Sequence, residues 1–169
     1  MSVWTIRREQ VGDEAAIAGV VTTAFAGAER SGGNEAGIVG RLREELELEA
    51  SYVAVTPSGS VVGHIGFSPV TIDGERRGWY GLAPLAVLPD WQRRGIGAAL
   101  VEAGLEDLRR FDAAGCVVLG EPEYYGRFGF AHDAALSYPA ASAPEHFQRL
   151  VLGGQPPTGV VSYSAAFFG

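Results

Sequence analysis

Residues 85–100, Leu-Ala-Val-Leu-Pro-Asp-Trp-Gln-Arg-Arg-Gly-Ile-Gly-Ala-Ala-Leu, constrain the fold of this chain more than any other stretch. They read as the end of an apolar strand, a Pro-Asp turn, a loop with two glycines, and the start of a helix. The helical pattern runs from about residue 95 to 111. Ile96, Leu100, Ala103, Leu108 and Phe111 form its apolar stripe, and Glu102, Glu106, Arg109 and Arg110 its outer side. Glu106 and Arg110 stand one turn apart, as an ion pair requires. Gly115 ends the helical region, and Cys116-Val117-Val118-Leu119 suits a buried central strand. A strand, a crossover helix and a second strand within residues 82–119 predict a parallel pair inside one sheet. Glycines before a helix N-terminus also make an anion site, because free N–H groups and the helix dipole point the same way. Arg93 and Arg94 add positive charge there. A ligand bearing phosphate beside the end of a strand is therefore expected.

The rest of the chain surrounds that unit. Residues 3–7 read as a strand. A cap at 12–14 and Ile17, Val20, Val21, Ala24 and Phe25 at helical spacing predict a first helix. Residues 27–33 are a loop of small residues, and Asn34 caps a second helix with Ile38, Leu42 and Leu46 on one face. Residues 52–55, 61–72 and 79–88 read as three strands joined by turns at 57–60 and 73–74. Residues 121–127 make a brief helix, residues 128–130 begin a strand, and 147–152 and 160–168 are further strands. The order β-α-α-β-β-β-α-β-α-β describes an α+β fold, a mixed central sheet with helices on both faces and a strand-rich C-terminal extension. With 169 residues, 47% hydrophobic and 20% charged, the chain reads as a single domain over 1–169. A net charge of -7 argues against nucleic acid and anionic membrane as partners. One cysteine and three scattered histidines offer neither a disulfide framework nor a metal cluster, so no metal is expected. No long apolar run spans a bilayer, and the first residues lack a signal-peptide layout, so a cytoplasmic location is expected.

Gly95-Ile96-Gly97 alone is a weak signal in a chain with 24 glycines. It is neither a full dinucleotide fingerprint, since Leu stands at 100, nor a Walker loop, since no Gly-Lys-Ser/Thr follows. Its context is specific. Gln92-Arg93-Arg94-Gly95-Ile96-Gly97, directly after Leu85-Ala86-Val87, resembles the Q/R-x-x-G-x-G/A acetyl-CoA loop of the GNAT acetyltransferase superfamily and the L-x-V strand before it. Tyr125-Gly126-Arg127-Phe128-Gly129-Phe130 resembles the superfamily's Y-x-x-x-G-F segment at the expected distance. Residues 120–130 and the C-terminal segment are further similar to its YhbS-like branch.

The resemblance implies roles for matching positions. Backbone amides from Arg93 through Arg94, Gly95, Ile96 and Gly97 to Ala98 hold the pyrophosphate of acetyl-CoA, with Gln92 in the same loop. Backbone groups of Leu85, Ala86 and Val87 pair with the pantetheine arm like an added strand, and an N–H there polarises the thioester carbonyl. Tyr125 stands near the sulfur as proton donor; a phenol with pKa near 10 is protonated at pH 7. Tyr124 packs. The acceptor is a primary amine of a small molecule or a peptide, attacked directly. Such an amine is mostly protonated at neutral pH and must lose a proton first. The sequence names no clear base; Glu121, just past a strand end, Glu35 and Glu75 are the candidates. His64 reads as a packed, hydrogen-bonded histidine, and Cys116 as a buried small hydrophobe and not a nucleophile. Arg127 reaches the CoA adenosine phosphate or faces water. A noncatalytic acyl-CoA-binding module and an unrelated nucleotide-binding protein are the rival readings. The tail aromatics Phe147, Tyr163, Phe167 and Phe168 cover the sheet or pair with a second copy, a possible homodimer.

Overall fold

A computed structural model describes residues 3–26 and 35–168. The loop at 27–33 and the Asn34 cap lie outside the described residues. The described chain forms β1 (Thr5–Arg8), α1 (Glu14–Phe25), α2 (Glu35–Glu44), β2 (Ala50–Val55), β3 (Val61–Ile72) and β4 (Glu75–Val87). It continues through α3 (Ile96–Arg110), β5 (Gly115–Leu119), α4 (Pro122–Gly126), β6 (Ala131–His132), β7 (Leu136–Ser137), β8 (Phe147–Val151) and β9 (Gly159–Ser162). The main path of the sheet is β1-β2-β3-β4-β5-β8-β6, with β9 paired to β3 and β7 to β9. The expected α+β class and mixed sheet are both present.

Alternation along the strands separates two cores. Tyr52, Ala54, Ile65, Phe67 and Leu82 face α3, whose Ile96, Leu100, Val101, Leu105 and Leu108 are buried against them. Val53, Val55 and Ala86 point the other way, onto Ile17, Val20 and Val21 of α1 and Val39 of α2. A third cluster, with Trp79, Val117, Phe147 and Val161, ties the C-terminal extension to the sheet. The α3 face depends on close approach: a Cβ at Gly104 would stand 2.0 Å from the Phe67 ring. β1 is fastened to α3 by Arg8 and Asp107, whose carboxylate is 1% exposed. Among the described residues no helix is long and apolar enough to cross a membrane.

Several boundaries differ from the sequence pattern. α2 stops at Glu44, and Leu46, placed on its apolar face by spacing, has φ +58° and is 87% exposed. Val39 takes the buried position instead. Phe111 ends α3 half-exposed against Tyr80, while Val101, Gly104 and Leu105 widen the buried stripe. Residues 128–130 form a turn, because the amides of Phe128 and Phe130 return to the Tyr125 carbonyl. The stretch expected as one strand at 160–168 is β9 followed by a 3₁₀ turn at 165–167, capped by the Ser164 hydroxyl.

Candidate active site

The site grows out of one mismatch in strand lengths. β4 and β5 pair in parallel only at Trp79–Gly115, Tyr80–Cys116 and Gly81–Val117. β4 runs on to Val87 beside β3, whereas Val118 and Leu119 of β5 pair with β8. The sheet therefore opens between residues 82–87 and 118–119. A register shift between Ile65 and Phe67 lies opposite Ala83 and Pro84, and the proline carries no N–H. Two cavities flank the opening and meet at Leu85.

The first, about 420 Å³, lies at the α3 N-terminus. Val87, Gln92, Arg93, Gly97, Tyr124 and Arg127 line it together with Leu85, Gly95 and Ala98. Gly95 adopts φ +84°, a conformation glycine takes without strain, and this turns the chain into the helix. Among the described residues, no carbonyl or side chain pairs with a backbone N–H of residues 93–98. The first α3 amide with a backbone acceptor is Ala99, which donates to the Gly95 carbonyl at 3.1 Å. Successive free donors at a helix start are an anion cradle. The neighbouring side chains divide their work. Gln92 donates to the Val87 carbonyl at 3.1 Å and so orders the loop. Arg94 is tied to the Asp90 carbonyl at 3.2 Å and stacks on Trp91 at 4.8 Å, outside the cavity lining, whereas Arg93 lines it. Arg127 stacks 4.3 Å over the Tyr124 ring. Tyr124, expected to pack, does so and also lines this cavity: a Cβ at Gly97 would stand 2.6 Å from its hydroxyl.

The second cavity, about 380 Å³, sits in the opening of the sheet. Leu82, Ala83, Pro84 and Leu85 of β4, Leu119 of β5 and Tyr125 border it, together with Glu35 and Ile38 of α2, Phe25 of α1, and Tyr138, Tyr163 and Phe167 of the extension. The α4 turn aims Tyr125. Its amide closes onto the Glu121 carbonyl, its ring meets Tyr124 and Phe130 edge-on at 5.0 and 5.9 Å, and Gly120 leaves it the space a Cβ would take. Burial pushes the Tyr125 phenol well above the usual value, with Tyr124 and Cys116 adding to the effect. The phenol therefore stays protonated throughout the neutral range.

The remaining sequence candidates fall elsewhere. Glu121 is the exposed N-cap of α4 and lines neither cavity. Ala86 is buried in the α1 core and lines neither cavity. Glu75 begins β4 at the far, exposed end. His64 is fully buried on the α1–α2 face; its Nε2 lies 2.8 Å from the Ser51 hydroxyl, which donates to Glu9, itself paired with Arg43. Burial lowers the His64 pKa to about 4, so the ring is neutral at pH 7. Cys116 is buried, and that burial pushes its thiol far up, which removes the thiolate a nucleophile needs. Sequence reasoning left Phe25, Ile38, Leu119 and Tyr138 unassigned; each is an ordinary apolar position until the fold brings it to the opening.

The comparisons with known proteins agree with this geometry. The model of the acetyltransferase (GNAT) family matches residues 25–130. YhbS of Escherichia coli strain K12, described as an uncharacterized N-acetyltransferase, is 39% identical over 140 residues, covering 79% of this chain and 83% of that protein. A crystal structure of a GNAT family acetyltransferase from Brucella melitensis in complex with acetyl-CoA superposes with a TM-score of 0.86 at 44% identity over 97% of both chains. The crystal structure of E. coli YhbS in complex with CoA gives a TM-score of 0.88 at 33% identity, over all of this chain and 94% of that one. Cradle, opened sheet and aligned sequence lead to one conclusion: the chain belongs to the GNAT family of acetyltransferases.

Proposed function

We propose that this chain binds acetyl-CoA across the two cavities and transfers its acetyl group to a primary amine, with residues 1–169 acting as one domain. The free amides of residues 93–98 bind the pyrophosphate, assisted by the Arg93 guanidinium. The edge of β4 at 85–87, which β5 does not reach, receives the pantetheine arm as a strand would, and an N–H of that edge polarises the thioester carbonyl. The observation that carries the reading is the meeting of the anion cradle and the Tyr125 cavity at Leu85. The acetyl-CoA bound to the Brucella protein and the CoA bound to E. coli YhbS support the same ligand here.

Acetyl-CoA supplies the acyl group. The amine nitrogen forms the new C–N bond, the C–S bond breaks, and the sulfur leaves with the electron pair. Nitrogen gives up two protons in going from ammonium to amide: one leaves to solvent before attack, and the other is balanced by the proton that ends on sulfur. Tyr125 donates its hydroxyl hydrogen bond to that sulfur as the bond lengthens, a role open to it because burial keeps the phenol protonated. Alignment of amine and thioester in the opening supplies the rest. The test is thiol release from acetyl-CoA with a panel of primary amines. Tyr125→Phe is expected to lower kcat by roughly 10- to 1000-fold at unchanged acetyl-CoA affinity. Tight CoA binding without thiol release on any amine would leave a binding module and no enzyme.

A further inference from the structure

The end of the chain borders the opening of the sheet, and its hold on the rest of the fold is narrow. β9 pairs with β3 through Thr71–Ser162 and Ile72–Val161, and the ladder stops there. Tyr163 and Phe167, from the residues that follow, line the opening beside Leu82 and Leu85 of β4 and Ile38 of α2. The Tyr163 ring lies on Gly81, where an added Cβ would stand 2.8 Å from it. Gly81 is the last β4 residue paired with β5, so this aromatic wall rises where the two strands part. Phe167 meets Tyr163 edge-on at 5.3 Å.

Phe167 belongs to the 3₁₀ turn at 165–167. The Ala166 amide donates to the Ser164 hydroxyl at 3.3 Å, and the Phe167 amide to the Ser164 carbonyl at 3.0 Å. Both bonds are internal to the segment, and 3₁₀ geometry makes weak hydrogen bonds. Among the described residues one hydrogen bond reaches 163–168 from outside: Arg41 of α2 donates through Nε to the Ala166 carbonyl at 2.8 Å. The guanidinium is built into its place. A Cβ at Gly37, one turn earlier, would stand 3.3 Å from Nη1, so the glycine makes room for it. Nη2 is buried with no hydrogen-bond partner. Burying that nitrogen unpaired is costly, and the bond to Ala166 is what the side chain gains there.

We propose, resting on the acyl-transfer reading, that Arg41 is a positioning residue for the acceptor: by holding the Ala166 carbonyl it sets the Tyr163–Phe167 wall over the opening and so fixes the amine against the thioester. Ile38 and Arg41, three residues apart, share a face of α2, so the helix and the tail close the same side of the cavity. The anion cradle lies beyond Leu85, and neither Arg41 nor the 165–167 turn lines it. Loss of the bond therefore weakens use of the amine and leaves acetyl-CoA binding alone.

The experiment first measures thiol release from acetyl-CoA with ethylamine, phenethylamine, phenylalanine, spermidine and trialanine, then follows the amine of highest kcat/KM. Arg41→Ala is expected to raise the KM for that amine about 10-fold or more, the loss of one charge-assisted hydrogen bond. The acetyl-CoA KM should stay within about two-fold. Hydrogen exchange of the CoA-bound protein, read by mass spectrometry, should quicken at 163–168 and stay unchanged at 93–98. Should Arg41→Ala fail to fold, Ser164→Ala removes the cap of the same turn and should split the two KM values in the same way. An unmoved amine KM, an equal rise in both KM values, or unchanged exchange at 163–168 overturns the proposal and leaves acyl transfer standing. No thiol release with any of the amines overturns acyl transfer, and the proposal with it.

Discussion

Gly120→Ala tests the placement of Tyr125 without touching its hydroxyl. Gly120 is pinned where β5 meets α4: its amide donates to the His146 carbonyl at 3.0 Å, and its carbonyl accepts from Gln148 at 3.1 Å. Its φ lies outside the left-handed region, so alanine is compatible with the backbone. The difficulty is space. An added Cβ would stand 2.4 Å from Cε2 and 3.0 Å from Cδ2 of Tyr125, and ordinary contact begins at 3.4 Å. The ring must retreat by about 1 Å, against Phe130 and Tyr124 on its other sides. A displacement of about 1 Å at a reacting centre costs about 100-fold in rate. Overpacking of this kind costs about 1–3 kcal/mol, or a Tm lower by about 2–12 °C at this chain length. Steady-state thiol release, CoA calorimetry and a melting curve together read the three quantities. The expected result is kcat down about 100-fold, CoA affinity within a few-fold, and Tm lowered. Tyr125→Phe serves as companion, with a similar fall in kcat and a smaller fall in Tm. A Gly120→Ala enzyme whose Tyr125 ring has moved but whose kcat is intact would refute the assigned role of that hydroxyl.

The raised phenol predicts that no Tyr125 deprotonation limits kcat below pH about 10, the ordinary phenol value; a Tyr125-dependent alkaline fall centred below pH 9 contradicts it. His64 has a folded pKa near 4 against 6.5 ordinarily, so the unfolded chain binds more protons between those values. Its contribution is fully present above pH 6.5 and is lost as pH falls towards 4, by up to about 3 kcal/mol. Urea unfolding of wild type and His64→Gln at pH 7.5 and 4.5 measures it, and equal pH slopes would remove His64 as the cause. Cys116 should resist iodoacetamide in the native protein and react once it is unfolded, as mass spectrometry reads; rapid native labelling refutes the buried thiol.

The strand–loop–helix–strand unit was legible because its constraints are local. Gly95 supplies the turn into α3, the α3 stripe has helical period, and the apolar run at 116–119 has one place to go, beside β4. The α2 end was misread because Leu46 continues the spacing while the chain has already turned at φ +58°, a choice made by tertiary contacts and not by periodicity. Residues 128–130 look like a strand by composition, yet two amides return to one carbonyl at Tyr125. The cradle loop was read from sequence, but which arginine lines it was not: Arg94 finds Trp91 and the Asp90 carbonyl, whereas Arg93, at φ +63°, lines the cavity. The aromatic wall was legible only in part, since Tyr163 and Phe167 were read as covering the sheet but Phe25 and Tyr138 were not placed with them. Phe25, Tyr138 and Phe167 lie far apart in the chain, and only the pairing of β9 with β3 brings the tail back over the opening.

Tyr124 and Tyr125 show how little chain is needed to divide the two halves of the site. Consecutive residues on a helix diverge by about 100°, so one turn of α4 sends Tyr124 to the cradle cavity and Tyr125 to the opening in the sheet. Each ring reaches its place because a glycine yields to it, Gly97 beneath the Tyr124 hydroxyl and Gly120 beneath the Tyr125 ring. The edge-on contact between the rings at 5.0 Å couples the two positions. A ligand that seats against Tyr124 therefore presses on the neighbour of the proposed proton donor. In that arrangement Tyr124, held by Arg127 from above, is the spacer that fixes how far Tyr125 stands from anything bound along β4. Removing the Tyr124 ring should loosen both cavities at once, raising the acetyl-CoA KM and lowering kcat together, whereas loss of the Tyr125 hydroxyl should lower kcat alone.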